Sequence, residues 1–159
     1  MSDAYVIGSF STAFGKWTDK DHRALAREAV LGVLEDAGLA DGSALGQAYF
    51  GNCLMHMIGQ TMIRGQTCLS DLMDQGLLPK RLPIVNVEGA CATGSLAFHL
   101  AWKAVLSGQT DFALAIGVEK LYDPAAPGKV LEEIGGGFDR FDQRSEERIT
   151  RSEHDSRPN

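Results

Sequence analysis

Cys91, in the stretch VNVEGACATGS (85–95), has the strongest claim to covalent chemistry. The apolar run Ile84-Val85-Asn86-Val87 gives way there to small residues, and a helical pattern starts at Cys91. A thiol in the first turn of a helix lies near backbone N–H groups that have no intrahelical acceptor. It also lies near the positive end of the helix dipole, and both favour thiolate over thiol. The same N–H groups can hold the oxyanion formed when a thiolate attacks a carbonyl. Gly89, Ala90, Ala92 and Gly94 carry almost no side chain, so a substrate can come close to the sulfur. The order strand, nucleophile, helix is that of the hydrolase elbow with cysteine in place of serine. On these residues alone a second reading stands beside it: a small buried cysteine at a tight junction.

The other reactive types carry less. Cys53 and Cys68 read as core or near-core thiols. His56, in NCLMHMIGQ, follows a strand end and reads as a loop histidine near the pocket, and His22 marks a helix start. Cys53 and His56 have Cys-x-x-His spacing, but no second ligand pair follows, so no metal is expected. Gly135-Gly136-Gly137 lacks the preceding strand and following Lys-Ser/Thr of a phosphate loop and reads as a flexible bend. Met55, Met57 and Met62 read as packing residues. Glu119 and Lys120 read as a surface ion pair at the edge of the site.

The elements that must hold Cys91 alternate in type. Residues 4–8 (AYVIG), 46–51 (GQAYFG), 84–87 and 111–117 (DFALAIG) read as strands. The last is a continuous apolar run of the kind covered on both faces. Between them, Leu25, Ala26, Ala29, Val30, Val33, Leu34 and Ala37 recur at helical spacing before Gly38. A less regular helix from near Gln60 carries Ile63, Leu69, Leu72 and Met73 inward, with Gly65 weakening it. The helix over 91–107 has a stripe of Leu96, Ala97, Leu100, Ala101, Ala104 and Val105. This βαβαβαβ order predicts an α/β fold with a mostly parallel four-stranded sheet and helices on both faces. Chemistry in such sheets collects at the C-terminal strand ends, where Cys91 falls.

The chain of 159 residues is large enough for one core. Apolar residues make up 44% and charged residues 23%, with a formal charge of −6, which argues against nucleic acid and anionic membranes as partners. Three cysteines without paired spacing read as reduced thiols in a cytoplasmic protein. No stretch has the length of a membrane span or the layout of a signal peptide. Beyond residue 118 the pattern fades to turn chemistry with one short helix, Lys129–Ile134. The last 25 residues hold 11 charged side chains. The expected division is 1–122 as the folded domain, 123–142 as the start of a loop region and 143–159 as a charged, disordered tail.

The ordered motifs around Cys91 resemble the thiolase family. Cys91-Ala92-Thr93-Gly94 resembles its nucleophile segment, followed by Gly108, Asp111 and Gly117-Val118-Glu119-Lys120-Leu121. Upstream, SFSTAFGKW resembles the family's opening, with Ala13 intervening before Phe14-Gly15, and GQTMIRGQ (59–66) resembles its Gly-Gln-x-x-x-Arg segment. Thr93 and Glu-Lys-Leu at 119–121 are similar to the branch linked to sterol carrier protein. The resemblance implies the N-terminal half of a three-layer α/β/α thiolase. It makes Cys91 the catalytic acyl acceptor and its amide an oxyanion donor. It implies coenzyme A thioesters as substrates, no permanently bound cofactor, and a homo-oligomer paired through strand 84–88.

The chain departs from the family's pattern. The strand that closes the sheet antiparallel, most of the loop domain, the second half with its Asn-Glu-Ala-Phe and Gly-His-Pro motifs, and the second cysteine are not found in this sequence. His154 lies in the charged tail, and His99 is about 12 Å from Cys91 by helical rise. The expectation is therefore a partial thiolase, or one completed by a separate chain, that is acylated slowly and does not turn over alone. A non-catalytic subunit or scaffold of the same fold and a ketosynthase-like condensing enzyme are the alternatives.

Overall fold

The structure, a computed structural model, describes residues 3–137, 139, 141, 142 and 144. The expected charged tail, 143–159, lies outside the described residues apart from Arg144. The chain separates into two compact units, Met1–Tyr122 and Asp123–Asn159.

In the first unit, helix α1 (His22–Asp36) starts where the Asp21 carboxylate accepts the Ala24 N–H at 2.8 Å. That bond satisfies one of the N–H groups orphaned at a helix start. Leu25, Ala26, Val30 and Leu34 are its buried stripe. Helix α2 (Arg64–Asp74) buries Gly65, Cys68, Leu69 and Leu72. It begins later than the periodicity predicts because Ile63 has a left-handed backbone (φ 46°) and turns its side chain outward rather than into the core. Helix α3 (Thr93–Leu106) presents Ala97, Ala101 and Ala104 inward, with Leu100 and Val105 half-buried and Leu96 exposed.

Strands β1 (Gln47–Gly51), β2 (Ile84–Val87) and β3 (Ala113–Gly117) form one parallel sheet in the order β2-β1-β3. Ala48 pairs with Ile84 and Leu114, and Gly51 pairs with Val87 and Gly117. Alternation along the central strand divides the core. Ala48 and Phe50 pack with α1 and α2, whereas Tyr49 packs with Val87 and the alanine face of α3. The result is the expected α/β/α layering around a parallel sheet.

Among the described residues the sheet has three strands rather than four. There residues 4–8 have no ladder partner, with Tyr5 78%, Val6 67% and Ile7 53% exposed. The segment follows α1 instead: the Ser9 N–H donates to Asp36 Oδ2 at 2.8 Å, and Phe10 lies against Gly32. Its apolar run is the expected strand signal, but its anchors draw it to the helix. The second unit contains α4 (Lys129–Ile134), as the sequence indicates, and a 3₁₀ turn at Gly135–Gly137 in place of the flexible bend.

Gly65 explains how α2 sits so close to the sheet. A β-carbon there would lie 2.6 Å from Phe50 Cβ and 2.7 Å from Ile84 Cγ2. Gly65→Ala should therefore overpack the core and cost about 1–3 kcal/mol, more than the helix-propensity gain of up to ~1 kcal/mol. Gly94→Ala, with nothing within 4 Å, should not destabilise. Denaturant midpoints of the two variants check the contrast.

His22 is 4% exposed, and its Nε2 has no hydrogen-bond partner among the described residues. Burial holds this imidazole below its ordinary value of 6.5; the Asp21 carboxylate opposes the effect and Lys120 adds to it. The unfolded chain therefore takes up the proton first as pH falls. Stability should be fully expressed above the unfolded value and decline below it. Melting temperature measured from about pH 7.5 to about pH 5.5 should fall, and His22→Gln should flatten that portion of the curve.

Candidate active site

The C-terminal ends of the three strands are tied together by Asn52, which follows β1 and is 1% exposed. Its backbone N–H donates to Val87 O at 3.2 Å, at the end of β2. Its side-chain Nδ2 donates to Val118 O at 2.7 Å, just beyond β3, while Oδ1 accepts the Met55 N–H at 3.0 Å. Arg64, from the first turn of α2, donates through Nη1 to Asn52 O at 2.7 Å and Cys53 O at 3.2 Å. The Glu119 carboxylate accepts the Cys53 and Leu54 N–H groups. Buried polar groups are tolerated because each has a partner.

From this platform β2 leads through Glu88 and Gly89 into a 3₁₀ turn, Ala90–Ala92, and then into α3. Ala90 has φ 48°, in the left-handed region that costs a non-glycine residue about 1–2 kcal/mol. Hydrogen bonds close around it. Glu88 Oε1 accepts the Ala90 N–H at 2.6 Å, and Thr93 Oγ1 donates to Ala90 O at 2.7 Å while accepting the Gly89 N–H at 2.9 Å. Thr93 is buried, and Gly51 leaves it room: a β-carbon on Gly51 would stand 2.9 Å from Thr93 Cγ2. The turn's backbone ladder runs from Ala92 N–H to Gly89 O and from Thr93 N–H to Ala90 O, passing over the Cys91 amide.

Cys91 is the exposed thiol of the three. It stands in the turn that feeds α3, two residues before the first residue of the helix proper, not inside the helix as the periodicity suggests. Cys68 is buried, and desolvation pushes its thiol up to about 11, with Arg23 pulling it slightly back. Cys53 is half-buried beside acidic groups, its Sγ 3.6 Å from Glu88 Oε1. Burial first, then the Glu88 and Glu119 carboxylates, raise it, against the opposing Arg64 charge. An open cleft of about 290 Å³ between the strand ends and the entry to α2 is lined by Asn52, Met62, Ile63, Arg64, Asn86 and Glu88 among others; Cys91 is not in its wall.

Among the described histidines, two make contacts away from Cys91. His56 is half-buried with Nδ1 3.2 Å from Cys53 O, and exposed His99 packs its ring against Trp102 at 5.5 Å. Glu119 and Lys120 do not pair with each other as expected: Glu119 is held by the 53–54 backbone, and Lys120 donates to Trp17 O. Met55 is buried, whereas Met62 is 75% exposed. Among the described residues no group of three or more His, Cys, Asp or Glu side chains could hold a metal ion, and no helix is long and apolar enough to cross a membrane. The sequence does not single out Asn52 or Glu88, and it names Arg64 and Thr93 only as motif residues, without their roles in holding the loop and clasping the turn. The available signal was a polar residue directly after each of two apolar strands, Asn52 after β1 and Glu88 after β2.

Residues 4–130 match the family model described as "Thiolase, N-terminal domain". An acetyl-CoA acetyltransferase of Methanothermobacter thermautotrophicus is 40% identical over 128 residues, covering 80% of this chain and 32% of that protein. The benzoylsuccinyl-CoA thiolase subunit BbsB of Thauera aromatica is 37% identical over 115 residues, covering 72% of this chain and 27% of its own length. Sterol carrier protein 2 of Gallus gallus is 34% identical over 119 residues, covering 74% of this chain and 20% of that protein. The chain thus spans about a third or less of the length of these relatives. With the matched region running from before α1 to α4 and including the Cys91 turn, the chain belongs to the thiolase family, through that family's N-terminal domain.

Proposed function

We propose that this chain carries the acyl-accepting cysteine of a thiolase-type acyltransferase acting on coenzyme A thioesters. The Cys91 thiolate attacks the thioester carbonyl carbon of an acyl-CoA or the C3 keto carbonyl carbon of a 3-ketoacyl-CoA, and the Cys91 amide, outside the turn's ladder, donates to the oxyanion. Collapse of the tetrahedral adduct leaves the acyl group on sulfur and releases coenzyme A, or the acetyl-CoA enolate when a 3-ketoacyl thioester is cleaved. The acyl group then passes to coenzyme A or to a second acetyl-CoA. The observation that carries this reading is an exposed thiol raised on a left-handed turn at the C-terminal end of a parallel strand. Family membership and the names of the relatives support it.

General acid–base help typically contributes about 10²–10⁴-fold. His22 is buried, His56 lies on Cys53 O and His99 packs on Trp102, so acylation by these residues alone should be slow, with turnover requiring a base from outside them. Association is proposed along the free edge of β2, residues 84–88, where Val85 is 37% exposed, with a second copy or with a chain that supplies the remainder of the site.

Incubation with acetyl-CoA followed by digestion and mass spectrometry should place a hydroxylamine-labile acetyl group on the Cys91 peptide, absent in Cys91→Ala. No acetyl group at Cys91, with or without a full-length relative added, would sink the proposal. Iodoacetamide should in turn modify Cys91 first, Cys53 more slowly and Cys68 last, an order set by exposure and by the raised Cys53 and Cys68 thiols. Peptide mapping over a time course reads it, and early labelling of Cys68 would contradict the structure.

A further inference from the structure

We infer that Glu88 is a positioning residue for the Cys91 turn: its carboxylate holds Ala90 left-handed, and this sets where the next residue's thiol stands. The inference rests on the reading of Cys91 as the acyl acceptor for its meaning, but its geometry stands on separate observations. Glu88 Oε1 is 2.6 Å from the Ala90 nitrogen, a charge-assisted hydrogen bond to the residue whose backbone is strained. Ala90 is one of two non-glycine residues with positive φ among those described. Such a conformation persists only where its surroundings over-determine it. Here the surroundings are Glu88 on the N–H and Thr93 on the carbonyl.

The same Oε1 is 3.6 Å from Cys53 Sγ. A protonated Cys53 donates to that oxygen, so the carboxylate is held from the loop after β1 while it holds Ala90. Glu88 thereby links the loop after β1 to the turn after β2 without touching the Cys91 sulfur. Its contribution to the turn is geometric, the hold on the Ala90 N–H.

The test is the rate of Cys91 alkylation by iodoacetamide across a pH series, read by peptide mapping, in the full chain. If Glu88 positions the turn, Glu88→Ala should slow alkylation of Cys91 by roughly five- to tenfold. Glu88→Gln, which keeps an acceptor oxygen, should retain most of the rate. Ala90→Gly in the Glu88→Ala background should restore it, because glycine takes positive φ without steric cost. Should Glu88→Ala fail to fold, Ala90→Val with Glu88 intact serves instead and should be slow, since a β-branched residue resists that conformation. Alkylation in Glu88→Ala that is unchanged or faster, a double variant as slow as Glu88→Ala, or Ala90→Val as fast as the parent would each overturn the inference. Because the readout is alkylation, a chain that never accepts acetyl from acetyl-CoA would refute the acyltransferase reading and leave this result standing.

Discussion

The platform depends on Asn52. A parallel sheet pairs its strands through backbone hydrogen bonds, but those bonds stop at the strand ends, where catalytic loops begin. At that boundary one buried side chain, with its own backbone, reaches both flanking strands: N–H to Val87 O and Nδ2 to Val118 O. Its remaining acceptor takes the Met55 N–H and thereby fixes the loop that leaves β1. An apolar residue of similar size would leave Val118 O and the Met55 N–H without these partners, at a cost of about 1–3 kcal/mol for each buried group left stranded. Arg64 and Glu119 then act on the same loop with opposite charges, the guanidinium on its carbonyls and the carboxylate on its amides. The polar residues at these strand ends form one connected network.

The Cys91 turn is built on that platform by size exclusion as much as by hydrogen bonding. Gly51, the last residue of β1, is where Thr93 Cγ2 must fit, and Thr93 is the residue that receives the Gly89 amide and donates to Ala90 O. The missing side chain on β1 therefore sets the height of the turn on the neighbouring strand. On the other face of the sheet, Gly65 lets α2 approach Phe50 and Ile84 in the same manner. Three thiols with one chemical identity diverge as a result. Cys68 is packed between helix and core, Cys53 is half-covered among carboxylates, and Cys91 is exposed.

Much of this was legible in the sequence, for identifiable reasons. Periodicity located α1, α3, β1, β2 and β3 because each has an apolar face wide enough to register in a short window. The strand-to-helix corner at Cys91 stood out because small residues replaced large ones between two such patterns. The segment 4–8 misled because its composition is that of a strand, whereas its position is decided by Asp36 and Gly32, more than twenty residues away. The start of α2 was misplaced because Ile63 adopts a conformation that β-branched residues avoid, and no local propensity announces it. Glu88 and Asn52 were missed for a related reason. Their partners lie on other strands or two residues along a turn, and only the register of the sheet brings them together.

The division of labour within α3 separates what packing fixes from what it leaves open. Alanines at 97, 101 and 104 face the sheet, allowing the helix to lie close and its first turn to reach the strand ends. Bulk is placed on the opposite side, where Phe98 is 52% and Trp102 is 43% exposed and His99 packs on Trp102. That arrangement holds the Cys91 turn firmly at the strand ends, while the helix's own histidine packs on Trp102. Positioning and proton transfer are separate requirements: orientation can be supplied by backbone and packing alone, whereas a base must come within hydrogen-bond reach of the thiol. Among the described residues, the strand-end network supplies the first: its hydrogen bonds hold the turn. Backbone, glycine gaps and alanine packing together settle where the Cys91 turn stands, and proton transfer at its thiol is a separate demand that packing does not answer.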